Sequence, residues 1–192
     1  MRIPRATRHL LGFEHQSDAD KVLRVLPKRF ARFGRTLHPQ KTHLVHFDRP
    51  TTRGGRTRTG EKPGAFDFLG MTHYWALSHR GYWVVKQKTS KSRLSRGLRR
   101  MHQWCRRHRH DNIRDQHRTL CQKLRGHNAY YGVTGNGASL ERYLRGVKRI
   151  WRYWLDRRGG KKRMYWKRFD TLLRWLPLPK PCPIRSVYVA KP

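Results

Sequence analysis

Apolar positions divide this chain into a mixed first part and a helical second part, with the change near residue 88. The first periodic stretch is 17–34. Ala19, Val22, Leu23, Leu26, Phe30 and Phe33 recur at helical spacings. Ser17 is a natural N-cap, Asp18 and Asp20 fall in the first turn, and Gly34 is a natural stop. Pro27 lies inside and predicts a kink. His43–Phe47 reads as a short strand with Leu44 and Val45 buried. Residues 48–64, rich in Gly, Pro, Thr and Arg, read as a loop. Phe66–Trp75 and Tyr82–Lys86 then flank a turn near Ser78–Gly81, a β-hairpin pattern.

From Thr89 the period is helical. A first bundle helix is expected over 90–108, with Leu94, Leu98, Met101 and Cys105 on one stripe. A second spans about 112–131, with Ile113, Leu120 and Leu124 inward. Gly132–Gly137 connects it to a third over about 139–158. That helix carries Leu140, Tyr143, Leu144, Val147, Ile150, Trp151, Trp154 and Leu155, and Trp151 and Trp154 read as core. Gly159-Gly160 breaks it. A shorter helix carries Trp166, Phe169, Leu172, Leu173 and Leu176, and the proline-rich tail beyond cannot be helical. The expected fold class is α+β: a small helix-and-hairpin piece over 1–88, then an all-α bundle over 89–192.

Charge changes the picture from fold to function. Lys and Arg number 46 against 11 Asp and Glu, a formal net charge of +35 over 192 residues. An ordinary small domain carries a charge of magnitude about 2–8. Self-repulsion on this scale favours a polyanionic partner, and each phosphate neutralised also releases counterions. Seven Trp, eight Tyr and seven Phe separate the chain from disordered basic arms, which lack aromatics. No stretch approaches the roughly 18 apolar residues of a membrane span, and the basic start is followed by only Leu10-Leu11, so no secretory signal is read. The expected compartment is bacterial cytoplasm or an organelle.

Cysteines are three, Cys105, Cys121 and Cys182, at spacings that match no zinc module, which suggests a reduced interior. His102, Cys105, His108 and His110 are close enough in sequence to suggest metal ligands, but their basic neighbours would repel a cation. The simpler reading is solvated or RNA-facing histidine, with no metal site.

The sharpest local feature is charge phased against apolar residues in the first and third bundle helices. The first bundle helix carries Lys91, Arg93, Arg96, Arg99, Arg100, Arg106 and Arg107 and no acidic residue. A solvated face normally mixes signs; this one does not. The guanidinium fork suits phosphate and also stacks on bases. Arg96, Arg99, Arg100, Arg106 and Arg107 are therefore the leading candidates for RNA contact. Asn128, Tyr130 and Tyr131, late in the second bundle helix, have two readings. They contact RNA bases, or the tyrosines pack the bundle.

Four segments, in order, resemble group II intron reverse transcriptases. Leu37-His-Pro-Gln-Lys-Thr42 and Phe66-Asp-Phe-Leu-Gly-Met71 resemble late palm motifs. Leu124-Arg-Gly-His-Asn-Ala-Tyr-Tyr131, and Trp166-x2-Phe169 with Leu176-Pro-Leu-Pro179, resemble the thumb and maturase-specific domain. The resemblance covers about residues 11–185. It implies a remnant of the polymerase palm followed by a thumb/maturase bundle, with group II intron RNA as the partner; DNA is a further partner it leaves open. The family's strand ahead of the first helix carries Tyr-Ala-Asp-Asp, whose aspartates hold the catalytic magnesium ions. Here the matching stretch reads Arg5-Ala-Thr-Arg-His-Leu-Leu-Gly-Phe13, without an aspartate. Asp18 and Asp20, two apart on a helix, do not face each other. Gln40 stands where the family often has Glu. Lys41 matches the palm lysine near the incoming nucleotide's phosphates; without that centre it reads as an exposed lysine open to RNA.

The implied role is a maturase-type RNA-binding fragment that assists intron folding and splicing, with no catalytic residues and no cofactor of its own. Magnesium is expected only for an intact polymerase or for the intron RNA. The alternatives are a reverse transcriptase whose catalytic segment a complementing polypeptide supplies, and a gene remnant without function.

Overall fold

The computed structural model describes residues 9–38, 41–51, 62–159 and 163–181. The opening Arg5-Ala-Thr, Gln40, the stretch 52–61, Gly160 and Cys182 lie outside them. Two compact units divide the chain, Met1–Gly64 and Ala65–Pro192. The described elements are five helices and one three-stranded antiparallel sheet, an α+β fold.

The first unit holds α1, Gln16–Ala31. It starts two residues earlier than the Ser17 cap predicts. His15, in extended conformation, is the N-cap residue, and its carbonyl accepts from the amides of Asp18 and Ala19. Asp18 pairs with Lys21 at 3.2 Å, as a first-turn charge would. The helix runs through Pro27. Beyond it, Arg35 N bonds Phe30 O and Gly34 N bonds Ala31 O, with Gly34 at φ 62°. That is a Schellman stop, and it explains why glycine stands there. Ala19, Val22, Leu26 and Phe30 are the side chains withdrawn from solvent; Leu23 falls off that narrower stripe and is exposed. The expected strand at 43–47 does not form. Leu44 and Val45 are 44% and 45% exposed. Among the described residues no strand pairs with this segment, and an unpaired strand gains nothing from its backbone groups.

The second unit begins with the sheet: β1 Ala65–Phe68, β2 Met71–Leu77 and β3 Trp83–Thr89, in the order β1-β2-β3. The predicted 66–75 strand is thus cut in two. Phe68 pairs with Met71, leaving Leu69-Gly70 as a two-residue loop with φ of 50° and 83°. Positive φ at both positions is a type I′ turn. Leucine seldom adopts it, so the sequence carries only half the usual signal. The turn is held from outside, by Tyr130 donating its hydroxyl to Leu69 O at 2.9 Å and Ser90 N bonding Gly70 O at 3.0 Å. The second turn falls where predicted, with Ser78 N on Tyr82 O and Gly81 at φ 78°.

The bundle consists of α2 Lys91–Arg107, α3 Ile113–Tyr131, α4 Gly137–Asp156 and α5 Trp166–Trp175. Its core is Met101 and Cys105 of α2, Leu120 and Leu124 of α3, Leu144, Val147 and Trp151 of α4, and Phe169 of α5. Trp151 is fully buried and donates its indole N–H to Gln116 Oε1 at 2.9 Å; Gln116 Nε2 in turn donates to His108 O at the end of α2. Along α3 and α4 the contacts run in opposite directions, Gln116 meeting Trp151 and His127 meeting Tyr143. Along α2 and α4 they climb together, from Gly97 at Tyr143 to His102 at Trp154. The three helices therefore run up, down and up. Close approach of α2 and α4 needs small residues: a Cβ on Gly146 would stand 2.6 Å from a Leu98 methyl. Period changes at 88, yet the sheet shares a unit with the bundle, because Thr89 N and Oγ1 are bonded to the buried Asn136 at the α3–α4 turn. Among the described residues no helix is long and apolar enough to cross a membrane.

His127 makes folding sensitive to acid. Its ring stacks on Tyr143 at 3.7 Å, and Nε2 is buried without a hydrogen-bond partner. Burial lowers its pKa from 6.5 to about 4. The unfolded chain takes up this proton near pH 6.5 and the folded chain only near 4, so the contribution is whole above 6.5 and is lost as the pH falls between them. His127→Phe keeps the stack and removes the titration. Thermal melts at several pH values should show a shallower decline between pH 6.5 and 4 for the variant than for the parent; parallel declines would refute the assignment.

Candidate nucleic-acid interface

The basic face is built by the spacing of α2. Leu94, Leu98, Met101 and Cys105 recur at four, three and four residues and turn toward the core. Arg96 and Arg107 then fall on the opposite side, and Arg99, Arg100 and Arg106 flank them. All five are exposed. Among the described residues the ion pairs are Lys21–Asp18, His108–Asp111 and Arg118–Asp115, so none of the five guanidinium groups has a carboxylate partner. Only Arg106 and Arg107, in the last turn, suit the helix dipole. Lys91 and Arg93 sit in its first turn, where the helix dipole disfavours cations, and Ser90 makes no side-chain cap bond. Packing, not local electrostatics, holds α2. At its C-terminal end Gln103, Arg106, Arg107, Arg109 and His110 line an open cleft of about 490 Å³ with no carboxylate in its wall.

The other sequence-predicted residues separate. Lys41 is exposed and belongs to the first unit. Asn128 is 8% exposed and buried in the bundle, so it does not present its amide to a base. Tyr131 is half-buried with its ring 4.7 Å from His127, and burial raises its pKa. Tyr130 has an exposed ring, but its hydroxyl is committed to Leu69 O. The packing reading thus accounts for Tyr131, and for Tyr130 in part. Asn128 follows Leu120 and Leu124 at intervals of four and so falls on the buried side of α3, while Arg125, Gly126, Ala129 and Tyr130 form its solvent side.

The His/Cys cluster also disperses. Cys105 faces the core, and desolvation pushes its thiol up to about 12. His102 packs beside Tyr153 and Trp154, and His108 bonds Asp111 at 2.7 Å. A second thiol, Cys121, lies 3.2 Å from His117 Nε2, the spacing of a nucleophile and its base. The same nitrogen is 3.0 Å from Pro177 O, which can only accept. Nε2 therefore carries the proton and cannot take one from sulfur. Burial raises the Cys121 pKa further from reactivity.

The third bundle helix, whose charge is phased against apolar residues as in the first, is α4. Arg142, Gly146, Arg149 and Tyr153 recur at four, three and four residues, and this row lies alongside α2 at Gly146 and Tyr153. Its spacing was readable, but that it borders the α2 arginines was not, since helix packing alone decides it. Comparison with protein-family models, with curated proteins and with solved structures finds no match to this chain.

Proposed function

We propose that this chain is an RNA-binding protein of the group II intron maturase type, without a polymerase centre of its own. The observation that carries the RNA-binding part is the α2 face, where five exposed arginines stand on a packed helix without a carboxylate partner. Such a face is costly to the free protein and is offset only when phosphates approach it. The maturase part rests on the four ordered segments from Leu37 to Pro179. In this role the protein does no bond chemistry. It binds the folded RNA better than the unfolded RNA and so shifts that equilibrium, taking over charge neutralisation otherwise left to cations. Intron RNA would supply the reaction and bind its own magnesium.

Affinity for a group II intron RNA should be measured against salt concentration. If about 6–10 phosphates are contacted, binding falls on the order of 10³–10⁵-fold between 50 and 200 mM salt. A flat titration rules out the electrostatic basis of the reading. The maturase part is tested separately: the protein should speed splicing of that intron at a magnesium concentration too low for the RNA alone. Equal binding of an unrelated structured RNA, with no effect on splicing, would leave a general RNA binder and overturn the maturase role.

A further inference from the structure

We propose that the groove between α2 and α4 binds single-stranded RNA and holds an unpaired base against Tyr153. The inference rests on the RNA-binding reading and specifies which kind of RNA the face takes. Two rows border the groove with the same four-three-four spacing: Ser95, Arg99, His102 and Arg106 on α2, and Arg142, Gly146, Arg149 and Tyr153 on α4. They flank one seam because α3 occupies the other side, where Trp151 meets Gln116. The rings of His102 and Tyr153 lie 5.9 Å apart across the seam. Every residue of the two rows except Gly146 is exposed, and neither row contains an acid.

Phosphate alone does not account for the aromatic part. Tyr153 is 37% exposed, and the Arg157 guanidinium lies 3.5 Å over its ring. A tyrosine capped by a guanidinium is a platform that a splayed base extends by stacking. A base inside an A-form duplex is already stacked and cannot reach it. The α2 row is about 16 Å long, room for a short strand with arginine along both borders. Arg99, Arg106, Arg142 and Arg149 would track the backbone while Tyr153 and His102 meet the base.

The test uses the full chain and two labelled RNAs, a single strand of about 12 nucleotides and a blunt duplex of the same length. Tyr153→Ala should weaken single-strand binding on the order of 5- to 100-fold. The salt slope should stay unchanged because no phosphate contact is lost, and duplex affinity should not move. Tyr153→Phe should bind like the parent. Should Tyr153→Ala lower the melting temperature enough to unfold the protein, His102→Ala, at an exposed position across the seam, carries the same comparison. Equal losses on both RNAs, or none on either, would overturn base stacking while leaving phosphate binding intact. Failure of the parent to bind either RNA would instead sink the RNA-binding reading on which this one rests.

Discussion

Replacing Arg99, Arg100, Arg106 and Arg107 together by glutamine is expected to weaken RNA binding on the order of 10²–10³-fold near 0.15 M salt, and to leave the melting temperature unchanged or slightly higher. Each contact to a phosphate contributes about 0.9 to the logarithmic salt slope, so up to four units of charge leave the binding equilibrium with these side chains. Stability should not follow. The four groups are exposed and have no acidic partner on α2, so in the free protein they repel one another. Glutamine keeps the helix propensity and much of the stem. Binding isotherms at several salt concentrations, beside a thermal melt, give both readouts. A variant that unfolds, yet binds normally when folded, would mean that these arginines are structural and that the RNA face lies elsewhere.

Asn136→Ala should cost about 3–5 kcal/mol of folding free energy, a fall in melting temperature of roughly 10–20 °C. Asn136 is fully buried where α3 turns into α4. Its Oδ1 accepts from Thr89 N at 2.8 Å, and its Nδ2 donates to Thr89 Oγ1 and to Tyr131 O, each at 2.8 Å. Alanine removes all three bonds and strands the Thr89 amide away from water, while Tyr131 O keeps the amide of Val133; the stranded amide costs more than its bond is worth. The cross-link also ties β3 to the bundle. Thr89→Val removes one partner only and should cost about 1 kcal/mol, with the double variant less than additive because both changes break one network. A chemical-denaturation series on the four proteins measures this cycle. An Asn136→Ala cost below 1 kcal/mol, or simple additivity, would show that the sheet is held by other contacts.

Local signals were enough for the bundle. Four helices stand within about two residues of where periodicity puts them, and Leu120, Leu124, Val147, Trp151 and Phe169 are buried as their spacing demands. A helix's solvent and core sides follow from the order of residues along one rigid cylinder, so the α2 arginine face was legible before any fold was known. Strands are different, because a strand exists only when a partner satisfies its backbone. Residues 43–47 have the composition of one and, among the described residues, no partner; 66–75 has the composition of one long strand and is folded back at Leu69-Gly70. That turn needs positive φ at a leucine, a conformation local preference disfavours and that bonds from Tyr130 and Ser90 hold in place.

Charge, the helices and the arginine face are thus determined by the sequence, since each depends on near neighbours in the chain. What only the tertiary structure decided is which residues from distant segments share a surface. Tyr130 was drawn to a sheet turn, and Tyr153 came to lie beside His102. Those outcomes depend on contacts between residues roughly fifty or more positions apart, and no periodicity within either segment encodes them.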